Sequence, residues 1–188
     1  MSEVCRKIAV VQGAPSALVQ ELFRSLTAHW RSTANLAGVL AEDHGLPDRA
    51  CSAGYLRSLR DDAMYPIFQD LGAGSTTCHL AGSDALAAAA AVRRDIAQGC
   101  DLVVLSKFGK LEAAGGGLRE AFVAAVEADV PLLTSVSTPF KEAWESFATS
   151  LFVTVPAEFE QIDAWWQTMQ AAGQPPFDRL AELKPPPG

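Results

Sequence analysis

Basic residues are in short supply in this chain. Fifteen lysines and arginines face 22 aspartates and glutamates, a formal net charge of −7 over 188 residues. A nucleic-acid surface needs a basic stripe, and a polybasic membrane contact needs clustered lysines and arginines, so neither partner is expected. Long apolar runs are also missing: no stretch reaches the roughly 18–20 residues of a membrane span. The opening MSEVCRK leads directly into the strand-like IAVV, with no apolar signal core and no small-residue cleavage site. The expected location is the cytoplasm. Histidines number three and cysteines four. Cys5, Cys51, Cys78 and Cys100 form no CxxC pair and no zinc-ribbon spacing, so they read as free thiols of a reducing compartment. Cys78-His79 together with Cys51 is poor chelation geometry, and no metal site is expected.

What is present is enough apolar sequence, 49% of the chain, for one packed core. Short apolar runs alternate with helical periodicities. The run 7–12 is a strand ended by Gly13-Ala14-Pro15-Ser16, after which Val19, Leu22, Phe23, Leu26 and Trp30 recur at helical spacing, with Ser16 as the expected cap. LAGVLA (36–41) is a second strand. Extended pieces at 54–59 and 65–71, joined by Arg60-Asp61-Asp62, form a small β-hairpin insertion. Ser83 caps an Ala-rich helix that Gly99 stops. DLVVL (101–105) is apolar enough for a strand buried on both faces, as in a parallel sheet. Gly115-Gly116-Gly117 precedes a helix carrying Leu118, Phe122, Ala125 and Val126. VPLLTSV (130–136) is another strand, Thr138-Pro139 opens a helix, and LFVTV (151–155) is the last strand. Phe159, Ile162, Trp166 and Met169 form the inner stripe of a final helix. The adjacent Trp165 and Trp166 divide between core and surface and are a candidate dimer patch.

This alternation predicts an α/β three-layer sandwich with a mainly parallel sheet. Residues 1–172 form one domain, and 173–188 a proline-rich tail. In such sheets ligands bind beyond the carboxyl ends of the strands. Three loops sit at such ends, Gly13 to Ser16, 106–112 and 135–138; the first two, and a separate stretch at 69–78, are the candidates for chemistry. Gly13 to Ser16 opens a helix, whose free N–H groups and dipole favour anions. It lacks the Lys of G-x-x-x-x-G-K-[ST], and Pro15 removes one donor. Read as a loop, 106–112 (SKFGKLE) offers Lys107 and Lys110 as positive charge. The stretch Gly72-Ala73-Gly74-Ser75-Thr76-Thr77 combines glycines that let N–H groups converge with three hydroxyls, a neutral nest for phosphate or a tetrahedral oxyanion such as molybdate. Each loop also has a plainer reading, respectively a βα turn, a solvated charged loop and a linker.

Three stretches, QDLGAGSTTCHL (69–80), LSKFGKLEAAGGGLRE (105–120) and VPLLTSV (130–136), together resemble an uncharacterised bacterial family, domain of unknown function 2478. The resemblance covers most of residues 5–170. It implies an association with molybdenum transport, near whose genes the family's genes often lie, and a degenerate relationship to the P-loop nucleoside-triphosphatases. In those enzymes a strand ends in Asp-Glu-x-Gly-Lys-x-Glu. Here Gly109, Lys110 and Glu112 match the end of that pattern, Ser106 and Lys107 stand in place of the two acids, and the Walker lysine is missing.

The leading expectation is a protein that binds a nucleotide or oxyanion through Gly13, Ser16, Gly72, Gly74, Ser75, Thr76, Thr77, Lys107, Lys110 and Arg119, in molybdate or molybdenum-cofactor handling. The alternative is an NTPase with a non-standard phosphate-binding lysine, drawing on Glu112, Asp70 or Asp101 as its carboxylate. A structural partner protein that forms a homo-oligomer through the last helix is a third reading.

Overall fold

A computed structural model describes residues 6–45, 53–67 and 82–173. The chain order is β1 (Ile8–Gln12), α1 (Ser16–Trp30), β2 (Leu36–Asp43), β3 (Ala53–Ser58), β4 (Met64–Pro66), α2 (Gly82–Ala97), β5 (Leu102–Phe108), α3 (Lys110–Ala113), α4 (Arg119–Glu127) and β6 (Leu132–Val136). A 3-10 turn (Thr138–Phe140), α5 (Lys141–Ala148), β7 (Phe152–Pro156) and α6 (Phe159–Gly173) complete it. One seven-stranded sheet runs β4-β3-β2-β5-β6-β1-β7. The pairs β2–β5, β5–β6, β6–β1 and β1–β7 are parallel, and β2–β3 and β3–β4 antiparallel. The expected four parallel strands and the hairpin are therefore both present. No described helix is long and apolar enough to cross a membrane.

The central strands are near-continuous apolar runs because helices cover both their faces. Val19, Phe23, Leu26 and Trp30 of α1 join Ile162, Trp166 and Met169 of α6 on one face. Ala88 and Val92 of α2, Phe122 of α4 and Trp144 of α5 pack on the other, against Val103 and Leu105. Phe108 there meets Trp144 edge-on at 5.3 Å and Phe122 at 5.7 Å, an arrangement that adds electrostatic attraction to area burial. Trp166 is buried and Trp165 half-buried, as the divided pair predicts.

Several boundaries differ from expectation. The second hairpin strand, expected over 65–71, is Met64–Pro66, at the sheet edge where a proline without an N–H is tolerated; residues from 68 lie outside the described ones. Ser16 is not the cap: it is the first helical residue, Pro15 holds the N-cap position, and no side chain bonds to the first turn. Helix α2 begins at Gly82, ahead of Ser83. The stretch 106–112 is not a loop. The strand continues through Ser106 and Lys107 to Phe108, and Lys110, Leu111 and Glu112 lie in the short helix α3. The physical reason is Glu112, only 6% exposed, whose two carboxylate oxygens accept 2.9 Å bonds from the N–H groups of Gly109 and Leu118. That clamp folds the chain back tightly after the strand. It also requires glycine at 117: φ is +57° there, and a Cβ would sit 2.3 Å from Glu112 Oε1.

Asp95, in the last turns of α2, is 6% exposed. Burial raises its carboxyl pKa, against the opposing pull of Arg60 and Arg94. A raised carboxyl pKa means that the folded state holds the proton more tightly, so folding loses stability as pH climbs from the unfolded value through the folded one. Asp95→Asn is expected to raise Tm at pH 7. The gain should vanish below about pH 4, where the unfolded carboxyl is protonated as well; an equal gain at both pH values would contradict this account.

Candidate functional site

The loops after β1 and β6 leave the sheet in opposite directions, to α1 on one face and to α5 on the other. Adjacent strands that part in this way open a crevice at their carboxyl ends, where open α/β sheets bind ligands. Here it has a volume of about 400 Å³. The residues Gly13, Ala14, Pro15 and Ser16 form one wall, and Ser135, Ser137, Thr138 and Lys141 the other, with Lys107 reaching in from β5. Gly13 takes φ +93°, which turns the chain sharply from strand to helix. With proline at the N-cap and no capping side chain, the first-turn N–H groups of the 15-residue α1 keep their donor capacity for whatever enters. Two lysines and four hydroxyls line the crevice, and no carboxylate among the described residues does.

A second cavity, of about 210 Å³, lies on the other side of Lys107, over the ends of β5 and β2. Ser16 and Lys107 line both spaces. Leu56, Ile67, Leu111 and Leu118 give it apolar walls, while Gln20 and Arg24 of α1, Asp43 of β2 and Lys110 bring polar groups to it.

Lys107 owes its position to an irregularity in β5. The register pairs Leu105 with Thr134 and then Phe108 with Val136, so two residues of β5, Ser106 and Lys107, face one of β6. This is a β-bulge, which re-aims side chains. The Ser106 carbonyl accepts from Ser135 Oγ at 2.9 Å and from Gln20 Nε2 at 2.9 Å. Lys107 Cε lies 3.7 Å from where a Gly109 Cβ would stand, and Ser137 Oγ 3.5 Å from it, so the Lys107 stem and the Ser137 hydroxyl approach each other over Gly109 at ordinary contact distance.

Of the expected site residues, Gly13, Ser16 and Lys107 line the crevice, and Lys110 lines the second cavity with Ser16 and Lys107. Arg119 lies elsewhere: its guanidinium stacks 4.6 Å above the Phe147 ring and donates to the Glu112 carbonyl at 3.3 Å. Gly72, Gly74, Ser75, Thr76 and Thr77 fall outside the described residues, as do Asp70, Cys51, Cys78 and His79. Asp101, a carboxylate candidate for the enzyme reading, precedes β5 at the amino end of the sheet, where it accepts from Asn35 N at 2.7 Å. Glu112 spends both oxygens on backbone donors. No group of three or more His, Cys, Asp or Glu among the described residues is placed to hold a metal ion.

Sequence reasoning placed the loop 135–138 at the carboxyl end of the sheet without naming Ser135 or Ser137 as ligands, and it missed Gln20, Arg24, Asp43 and Lys141 as lining residues. The signal available for Ser135, Ser137 and Lys141 was their place just after an apolar strand. Gln20 had a signal too, as a polar residue between Val19 and Phe23 near the start of α1.

Over a 101-residue stretch, 54% of this chain, the sequence is 43% identical to the molybdenum import ATP-binding protein ModC 2 of Bradyrhizobium diazoefficiens. That stretch spans only 11% of the relative's length. No solved structure matches the chain. A family model described as protein of unknown function, DUF2478, matches residues 8–165, from the first residue of β1 into α6. The chain therefore belongs to the DUF2478 family of proteins of unknown function.

Proposed function

We propose that this chain binds a small phosphate-bearing or oxyanion ligand, a nucleotide or molybdate, in the crevice between β1 and β6. It does so as a P-loop-like cytoplasmic domain without a working Walker motif. One observation carries the reading. In a chain of net charge −7, this crevice gathers Lys107, Lys141, four hydroxyls and an uncapped helix start with no described carboxylate. A helix N-terminus attracts anions by its dipole and free N–H groups, and the lysines add charge-assisted bonds. The lysine that a Walker motif would carry in the first loop is replaced, in this proposal, by Lys107 reaching across from β5. The similarity to a molybdenum import ATP-binding protein supports a setting in molybdate or molybdenum-cofactor handling.

The binding reading predicts that Lys107→Ala weakens pyrophosphate, molybdate or ATP binding about tenfold to a hundredfold, since a hydrogen bond to a charged group contributes roughly 1.5–3 kcal/mol and about 1.4 kcal/mol is one decade. Titration calorimetry on the purified chain measures this. Unchanged affinity in both Lys107→Ala and Lys141→Ala would overturn the site.

A second expectation concerns turnover. The two carboxylates nearest in sequence are committed, Glu112 to backbone N–H groups and Asp101 to the opposite edge. Magnesium-dependent phosphate release from ATP or GTP is therefore expected to stay below about 1 per second, under the range of ordinary enzymes. Faster release that disappears in Lys107→Ala would establish the NTPase alternative instead.

A further inference from the structure

The smaller cavity, about 210 Å³ over the carboxyl ends of β5 and β2, presents carbon where the crevice beside it presents donors. Buried Leu56, Ile67, Ala85 and Leu118 and half-buried Leu111 wall it. Its buried polar side chains are engaged with the backbone. Gln20 Nε2 donates to the Ser106 carbonyl at 2.9 Å, and Gln20 Oε1 is itself buried. The two Glu112 oxygens accept from the N–H groups of Gly109 and Leu118. Arg24 holds Glu21 at 2.6 Å, and Asp43 and Lys110 are exposed to solvent. Such walls offer water few partners and favour an apolar guest. A cavity of roughly 150 Å³ accepts a benzene ring. This one therefore has room for a flat group of one or two rings.

Ser16 and Lys107 line both spaces, so one ligand can fill both by passing between them. The two volumes together fall within the roughly 300–1,000 Å³ usual for small-molecule sites. We propose that the ligand is an organic phosphate rather than a free oxyanion: a flat one- or two-ring group sits in the smaller cavity, and the phosphate it carries lies in the crevice. This rests on the anion-binding reading above. The phosphate supplies the charge that Lys107, Lys141 and the start of α1 hold, and the ring supplies apolar area that water would otherwise surround. Recognition of the ring is by shape and burial, because the walls offer it carbon, and not by the pattern of donors along its edge. A free phosphate or molybdate fills the crevice alone and forgoes the gain from the cavity.

Calorimetric titration of the full chain with methyl phosphate, phenyl phosphate, 1-naphthyl phosphate and pyrophosphate tests this. At about pH 8 the three esters are all dianions, since the second pKa of such a phosphate is near 6, and they differ only in the group attached. The expected result is phenyl and naphthyl phosphate bound at least tenfold more tightly than methyl phosphate. Ala85→Leu on α2 and Ala41→Leu on β2 each fill the cavity without lining the crevice. Each should remove the advantage of the ring while pyrophosphate affinity stays as it was, and if one variant fails to fold the other decides. Equal affinities for methyl and phenyl phosphate, with pyrophosphate bound, would overturn the ring seat and leave the anion site standing. A ring advantage that persists in both variants, or pyrophosphate binding lost in both, would overturn the inference as well. No binding of pyrophosphate or of any ester would overturn both readings.

Discussion

Between Leu105 and Phe108 the register of β5 advances by three residues while that of β6 advances by two, and the site is built on this mismatch. Without it, strict alternation would turn Phe108 toward α1 and α6, since Leu102 and Val104 face that side and Val103 and Leu105 the other. With it, Phe108 returns to the side of Leu105 and anchors the aromatic cluster of Phe122, Trp144 and Phe147. The same extra residue sets the Ser106 carbonyl where two side chains, Gln20 and Ser135, bond to it, and it brings Lys107 to the boundary of crevice and cavity. Core packing on one face and cation placement at the edge are thus two consequences of one bulge. A change that removed it would have to give up both.

Net charge is a poor guide to what such a site attracts. At physiological ionic strength the Debye length is about 8 Å, so exposed acids farther away are largely screened. Lys107, Lys141 and the first turn of α1 act within a few ångströms of the crevice. The aggregate of −7 does argue against polyanion surfaces, because those need many basic residues along one face. A single small anion needs only a few donors, and those are gathered where two adjacent strands send their chains to opposite faces.

The elements were legible because burial on both faces leaves an unmistakable apolar signature. The runs in β1, β5 and β6 and the stripes of α1 and α6 read directly, the partly exposed edge strand β7 is apolar enough to read as well, and the parallel arrangement follows from helices alternating with the strands. What could not be read was local geometry that no periodicity encodes. Ser106 and Lys107 are polar, and without knowledge of the bulge they read as the start of a loop. Glu112 reads as a surface or catalytic acid, because nothing in its neighbours announces that the backbone N–H groups of Gly109 and Leu118, on either side of it in sequence, converge on it. Ser16 has the chemistry of a cap, but Pro15 holds that position with its fixed φ. Gln20 and Asp43 belong to different elements, and only the fold brings both to the wall of one cavity.

The family match and the curated relative bear differently on this site. The family model runs over residues 8–165 and so takes in every element that lines the crevice and the cavity, from β1 to the start of α5. The similarity to the molybdenum import ATP-binding protein covers 101 residues, too few to contain both Gly13 and Lys141. The relative's name therefore speaks for part of the site at most, and the part that recruits charge across the crevice depends on walls that one such stretch cannot supply together. The stronger argument for an anion is internal to this chain. A helix start left uncapped by a proline, lysines from a bulged strand and from a helix on the opposite face, and an absence of described carboxylates between them converge on one volume, although each is individually commonplace in α/β sheets.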